Sequence, residues 1–286
     1  MEILNVTKTY KNNRVLDNLH FSFDSSRIVG LIGKNGVGKT TIMKIMNGNI
    51  TNYNGQVKTK KSDNIGYLIE HPKLYQNLTG IKNLKCFSNI LGVKFDNNYA
   101  NKIIQAFGME SYINKKVKKY SLGMKQKLAI AVSLINKPKY LILDEPTNGM
   151  DPDGSIDVLT TIKSVTNELN MKVLISSHKL EDIELICDRA VFLRDGVFVR
   201  DIDLTDASGQ ETTILTFNKN DINIAKSIIE NSYNIIKNED NYIVVNRLDN
   251  YQEILKALST SNIFPDKIED KYTTLRDTYF NINKGV

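Results

Sequence analysis

One short stretch constrains this chain more than any other: Gly33-Lys-Asn-Gly-Val-Gly-Lys-Thr-Thr41. Before it, Arg27 to Ile32 is a short apolar run of the kind that forms a buried parallel strand. After it, Thr41 to Met46 reads as a helix stopped by Asn47-Gly48. Strand, glycine-rich turn and helix are the setting in which G-x-x-x-x-G-K-[ST] cradles phosphate. Gly33, Gly36 and Gly38 carry no Cβ, so successive N–H groups can converge on phosphate oxygens. The helix N-terminus adds its partial positive charge at the same place. Asn35, Gly36, Gly38, Lys39, Thr40 and Thr41 are therefore the candidate nucleotide contacts. Lys39 is placed for the β- and γ-phosphates, and the Thr40 hydroxyl for Mg²⁺. A chain built around this unit is expected to be α/β, with a parallel sheet.

With 286 residues there is room for one large domain and a small second one. The net charge of +6 is mild and reads as a scattered excess of lysine. Cys86 and Cys187 are too few for a disulfide framework and lack metal-site spacing, which fits a reducing compartment. No signal peptide is expected, because the N-terminus enters strand-like sequence at once. No apolar run approaches the ~20 residues of a membrane helix, so the chain is expected not to cross a membrane by itself.

Ile3 to Val6 and Val15 to Phe23 are strand-like, divided by the polar turn Lys11-Asn12-Asn13. Tyr10, shortly upstream of the loop, suits either stacking on adenine or ordinary packing. Asn54-Gly55 signals a hairpin, followed by the strand Asn64 to Ile69, which Glu70-His71-Pro72 leaves. Thr79 can cap a helix with Ile81, Leu84, Phe87, Ile90 and Leu91 at helical spacing, ended by Gly92. A second helical segment carries Ile103, Ile104 and Phe107. The basic run Lys115 to Lys119 reads as a solvated face and not a nucleic-acid site. Ser121 is a good N-cap for a helix with Met124, Leu128, Val132 and Ile135 on one face.

Tyr140 to Glu145 is a buried-strand run ending in two adjacent carboxylates. Strands of an open parallel sheet present their C-terminal ends to ligand. Asp144 is then placed to hold Mg²⁺, and Glu145 to orient or deprotonate an attacking water. That second carboxylate separates a hydrolase from a nucleotide binder. A further buried strand, Lys172 to His178, carries His178 to the same edge, within reach of a γ-phosphate. Lys179 to Asp188 reads as a helix and Ala190 to Arg200 as a hairpin turned at Asp195-Gly196.

From about Thr205 the pattern changes. Asp206 to Gln210 looks like a linker, and the residues beyond it alternate as β-α-β-β-α-β with a terminal helix from Thr274 to Phe280. That order suggests a small α+β, ferredoxin-like unit, and no catalytic constellation is visible in it.

With these motifs in order, residues 1–205 resemble the ATP-binding subunit of ABC transporters. Tyr10 matches the A-loop, Gly33 to Thr41 Walker A, and Tyr120-Ser-Leu-Gly-Met124 the signature. Tyr140 to Glu145 matches Walker B, Asn148-Gly-Met-Asp151 the D-loop, and His178 the H-loop. The resemblance implies a P-loop NTPase core over 1–205, with a helical subdomain over about 72–137, and an accessory domain over 206–286. It implies ATP and Mg²⁺ as cofactors and a head-to-tail dimer in which Ser121, Gly123 and Asp151 serve the other subunit's nucleotide. That dimer is a homodimer or a mixed pair with a second ATPase. It also implies a separate transmembrane permease, placing the chain at the cytoplasmic face of the membrane, with no nucleic-acid partner.

Two departures stand out. Leu122 and Met124 replace the signature's usual glycine and glutamine, and Glu70 replaces the Q-loop glutamine, making it a candidate charged Mg²⁺ ligand. Glu70 and the C-terminal extension are similar to the bacitracin-export and lantibiotic-immunity branch, which implies export of amphipathic, antimicrobial or toxin peptides. A soluble ABC-type ATPase serving an iron–sulfur assembly complex is the alternative.

Overall fold

A computed structural model of the chain describes residues 1–70, 73–205, 211–239, 241–246, 248, 251–272 and 275–284. Two compact units divide between Thr205 and Asp206. The first runs β1 (Glu2–Tyr10), β2 (Asn13–Ser22), β3 (Ile28–Ile32), α1 (Lys39–Met46), β4 (Asn54–Lys58), β5 (Ile65–Leu68), α2 (Gly80–Ile90) and α3 (Asn97–Ala106). It continues α4 (Leu122–Leu134), β6 (Tyr140–Asp144), α5 (Pro152–Glu168), β7 (Lys172–Ser176), α6 (Leu180–Ile186), β8 (Arg189–Arg194) and β9 (Val197–Asp203).

The larger sheet has the order β5-β6-β7-β3-β8-β9. Its pairings are parallel except for β9, which returns antiparallel from β8. β3 is buried along its whole length, as its unbroken apolar run requires of a strand covered on both faces. Val29 and Leu31 share a core with Ile42 and Met43 of α1, Ile142 of β6 and Leu174 of β7. The registers Leu31↔Ser176 and Asp144↔Ser176 bring the C-terminal ends of β3, β6 and β7 to one edge of the sheet. The glycine loop and both carboxylates therefore leave the sheet together.

The smaller sheet, β2-β1-β4, is antiparallel. Asn54-Gly55 does not turn a hairpin into β5. It opens β4, which pairs with β1, while β5 belongs to the other sheet. Gly55 sits at φ +98°, and a Cβ there would lie 2.4 Å from the Asn5 carbonyl oxygen, so the glycine serves close strand approach. α1 begins at Lys39, earlier than the apolar spacing suggests, because Gly38 takes the N-cap position at φ +115°. α5, which the apolar pattern does not announce, starts on Pro152 directly after Asp151, an arrangement that favours a first turn.

The second unit runs β10 (Glu211–Thr216), α7 (Ile222–Ile229), β11 (Ile235–Asn238), β12 (Tyr242–Asn246), α8 (Gln252–Ser259), β13 (Lys267–Tyr272) and α9 (Leu275–Lys284). Its sheet order is β11-β12-β10-β13, antiparallel at each pairing, which is the ferredoxin-like order. Leu215, Phe217, Ile243 and Val245 bury one face of the sheet with Ala225 and Ile229 of α7 and Ile254 and Leu258 of α8. The expected linker, Asp206 to Gln210, lies outside the described residues.

Candidate nucleotide site

The loop after β3 turns through Gly36 at φ +80° and Gly38 at φ +115°. A Cβ on Gly38 would lie 2.7 Å from Leu16 Cδ2 and 3.1 Å from the Val15 carbonyl oxygen, so both conformation and space demand glycine. Lys39 folds back over this loop. Its ammonium donates to the carbonyls of Gly33 at 2.7 Å and Lys34 at 3.2 Å. Burial pushes the Lys39 pKa down, against the opposing pull of the Glu145 and Asp144 carboxylates.

Beside the loop, Thr40 Oγ1 donates to Asp144 Oδ2 at 2.6 Å. Ser176 Oγ, at the end of β7, donates to the other oxygen, Asp144 Oδ1, at 2.5 Å. The same hydroxyl accepts the Glu145 N–H at 3.0 Å. Glu145 adopts φ +48°, a left-handed conformation that turns its side chain out of the strand. One of its carboxylate oxygens lies 3.3 Å from His178 Nδ1. Behind these, Thr147 and Ser177 both donate to Asp182 Oδ2, at 2.7 and 2.9 Å. That buried carboxylate ties the turn after β6 to the turn after β7. Sequence reasoning passed over Ser176 and Asp182; the only signal was paired serines directly before His178.

A cavity of about 670 Å³ gathers the glycine loop, Thr40 and the two carboxylates. Asn35, Gly36 and the run Gly38 to Thr41 line one side, with Glu70, Asp144 and Glu145. Leu122 and Gln126 of α4, together with Asn148 and Gly149, line it too and were not among the expected contacts. Tyr10, Ser121, Gly123, Asp151 and His178 are not among its lining residues.

Each of those five has its own setting. Tyr10 ends β1, is half exposed, and has the Lys8 ammonium 4.6 Å from its ring centre. It borders a second cavity of about 720 Å³, with Tyr67, Phe87 and Val132. Ser121 caps α4, its hydroxyl accepting the Met124 N–H at 3.3 Å. A Cβ on Gly123 would lie 3.2 Å from Met150 Cε, the flexible end of that side chain, where the loop before Asp151 packs against α4. Asp151 precedes α5, and its carbonyl accepts the Ser155 hydroxyl at 3.0 Å. His178 meets the site through its contact with Glu145.

Glu70 lines both cavities. It sits at φ +65°, and Lys44 in the last turn of α1 holds its carboxylate in an ion pair.

Among the described residues, no cluster of three or more His, Cys, Asp or Glu side chains could hold a metal by itself. The paired Thr40 hydroxyl and Asp144 carboxylate are instead hard-oxygen donors of the kind Mg²⁺ takes alongside phosphate oxygens and water. The glycine cradle, the buried ammonium and this oxygen pair fit a magnesium nucleotide. Fold and site together define a P-loop nucleotide hydrolase. Residues 16–148 match the family described as ABC transporter.

The chain belongs to the ATP-binding subunits of ABC transporters, and it is an ATPase that uses ATP with Mg²⁺. It is 31% identical over 299 residues to the bacitracin transport ATP-binding protein BcrA of Enterococcus faecalis, spanning 100% of this chain and 96% of that protein. It is 37% identical over 206 residues to the lantibiotic transport ATP-binding protein SrtF of Streptococcus pyogenes, spanning 70% of this chain and 89% of the relative. The ATP-binding cassette MJ0796, solved as a dimer in a post-hydrolysis state bound to ADP and Pi, superposes with a TM-score of 0.61 at 22% identity. That match covers 71% of this chain and 98% of the cassette, and it shows a common fold.

Proposed function

We propose that this ATPase drives export of amphipathic, antimicrobial or toxin peptides through a separate permease, as a dimer closing over two magnesium nucleotides. The observation that carries the hydrolytic part is the continuous contact series Thr40–Asp144–Ser176–Glu145–His178. Support for peptide export comes from the two relatives named for bacitracin and lantibiotic transport.

In this reading Gly36, Gly38 and Lys39 hold the phosphates, Lys39 exchanging its loop carbonyls for phosphate oxygens. Asn35 and Thr41 complete the loop's contacts, and Thr40 and Asp144 hold Mg²⁺. The bound ion neutralises phosphate charge. Glu145 is the general base toward water, and His178 holds its carboxylate in place. Ser176 donates to the Asp144 carboxylate and accepts the Glu145 N–H, so it ties the metal-side carboxylate to the backbone that presents the water-side one. Ser121, Gly123 and Asp151 lie outside the cavity because they serve the nucleotide of the opposite subunit, and Tyr10 takes the adenine. The cavity beyond Glu70, partly apolar through Tyr67, Phe87 and Val132, is the place for the permease. Sharing Glu70 makes each cavity sensitive to the other.

Glu145→Gln is the test. A positioned base contributes on the order of 10²–10⁴-fold, so phosphate release should fall by that much while nucleotide binding, read by fluorescence, is retained. Undiminished phosphate release would refute the assignment. Recovery of the chain only with soluble partners, never with a multi-spanning protein, would refute the transport reading.

A further inference from the structure

The excess of lysine is not scattered. Residues 72–137 carry twelve lysines against two acids, Asp96 and Glu110, a net +10. The whole chain is only +6, which leaves the remainder at −4. Among the described residues, only Lys127 and Lys137 of the twelve form ion pairs, with Asp157 and Asp96.

The fold concentrates this charge along α2. Gly80, Leu84 and Ser88 bury one face of the helix. A Cβ on Gly80 would stand 2.5 Å from the Tyr120 hydroxyl, which fixes that face inward. Lys82 and Lys85 stand exposed on successive turns of the outer face. The segment carrying Lys115, Lys116, Lys118 and Lys119 is strapped beside the start of α2. Thr79 bridges Lys116, Val117 N–H donates to the Leu78 carbonyl, and Lys118 N–H donates to the Gln76 carbonyl. At the other end of α2, Ile90 and Leu91 are 61% and 48% exposed, with Lys94 just beyond.

We propose that this strip is a docking surface for an anionic lipid bilayer. Its chemistry is that of a bilayer-surface element: lysines able to reach lipid phosphates, with an apolar pair able to enter the acyl boundary. A nucleic-acid backbone would use the lysines but gives the exposed Ile90-Leu91 pair nothing to contact. The strip borders the cavity assigned above to the permease, through Phe87 of α2, so the inference rests on the membrane-associated reading. Contact with lipid headgroups would then hold the ATPase in a fixed orientation beneath its permease.

The test is sedimentation of the purified full chain with vesicles containing no permease, one set of phosphatidylcholine alone and one with about a third phosphatidylglycerol. Each lysine near an anionic surface contributes about fivefold. The chain should therefore partition at least about tenfold more strongly onto the anionic set, and lose this in high salt. Replacing Lys115, Lys116, Lys118 and Lys119 by Gln should remove most of the preference. Lys82→Gln with Lys85→Gln should remove part of it independently, should the fourfold variant fail to fold. Ile90→Asn with Leu91→Asn should keep the preference for anionic vesicles but lower the binding that survives salt. Equal sedimentation with both sets, or unchanged partition of the folded lysine variants, would overturn the proposal. So would tighter binding to a duplex oligonucleotide than to vesicles at matched phosphate concentration. Failure of the permease partnership would show separately, in co-purification.

Discussion

Glu70 borders the phosphate cavity with a charge that its ion pair with Lys44 offsets. Lys44 projects from the same helix whose first turn forms the phosphate cradle, so the compensation is built into α1. Unit charges several ångströms apart at an effective dielectric of 20–80 interact by roughly 1–2 kcal/mol. Lys44→Met should therefore weaken ATP binding by about five- to thirtyfold, through repulsion between the Glu70 carboxylate and the nucleotide phosphates. In a Glu70→Gln background the same change should do little. Nucleotide titration across this double-mutant cycle measures the coupling, and an equal Lys44→Met effect in both backgrounds would dissociate the pair from phosphate binding. Glu70 was legible beforehand as an acid at an amide position. Lys44 was invisible in sequence, because pairing across a helix and a loop depends on tertiary geometry.

At the level of elements, the loop, the carboxylate strand and the histidine strand were legible because each is a buried apolar run ending in polar residues. What sheet each strand joins was less legible: Asn54-Gly55 has the composition of a turn yet opens β4, since close approach to β1 at Asn5 requires the same residue type. α5 escaped notice because its stripe is diluted by polar residues, although Asp151-Pro152 marked its start. Contacts between helices lay beyond sequence altogether, as with Tyr99 of α3, whose hydroxyl donates to the Leu134 carbonyl at the end of α4, 3.1 Å away. Burial pushes this phenol up to about 12, from an ordinary value near 10. A phenol kept neutral in the fold but free to ionise in the unfolded chain contributes stability that is present below about pH 10 and lost as pH rises toward about 12. The urea midpoint should fall across that window, and Tyr99→Phe should fall less steeply. A residual slope should remain from Tyr112, also pushed up by burial.

For the molecule as a whole, the chain splits into a nucleotide-binding unit and a ferredoxin-like unit with its own core. On the proposed reading neither nucleotide site is complete in one copy, so assembly and chemistry are linked by mass action. Glu145→Gln should give an ATP-dependent doubling of mass by light scattering, and a melting temperature that rises with protein concentration only when ATP is present. Monomer at saturating ATP would remove the dimer from the scheme. The left-handed backbone of Glu145 has a further meaning at this scale. A glutamate held at φ +48° costs on the order of 1–2 kcal/mol that glycine would not. Glu145→Gly should consequently melt higher than the native chain while its phosphate release falls on the order of 10²–10⁴-fold. On the proposed reading, a library of variants screened for thermal stability alone would tend to discard this acid, and with it the activity it carries.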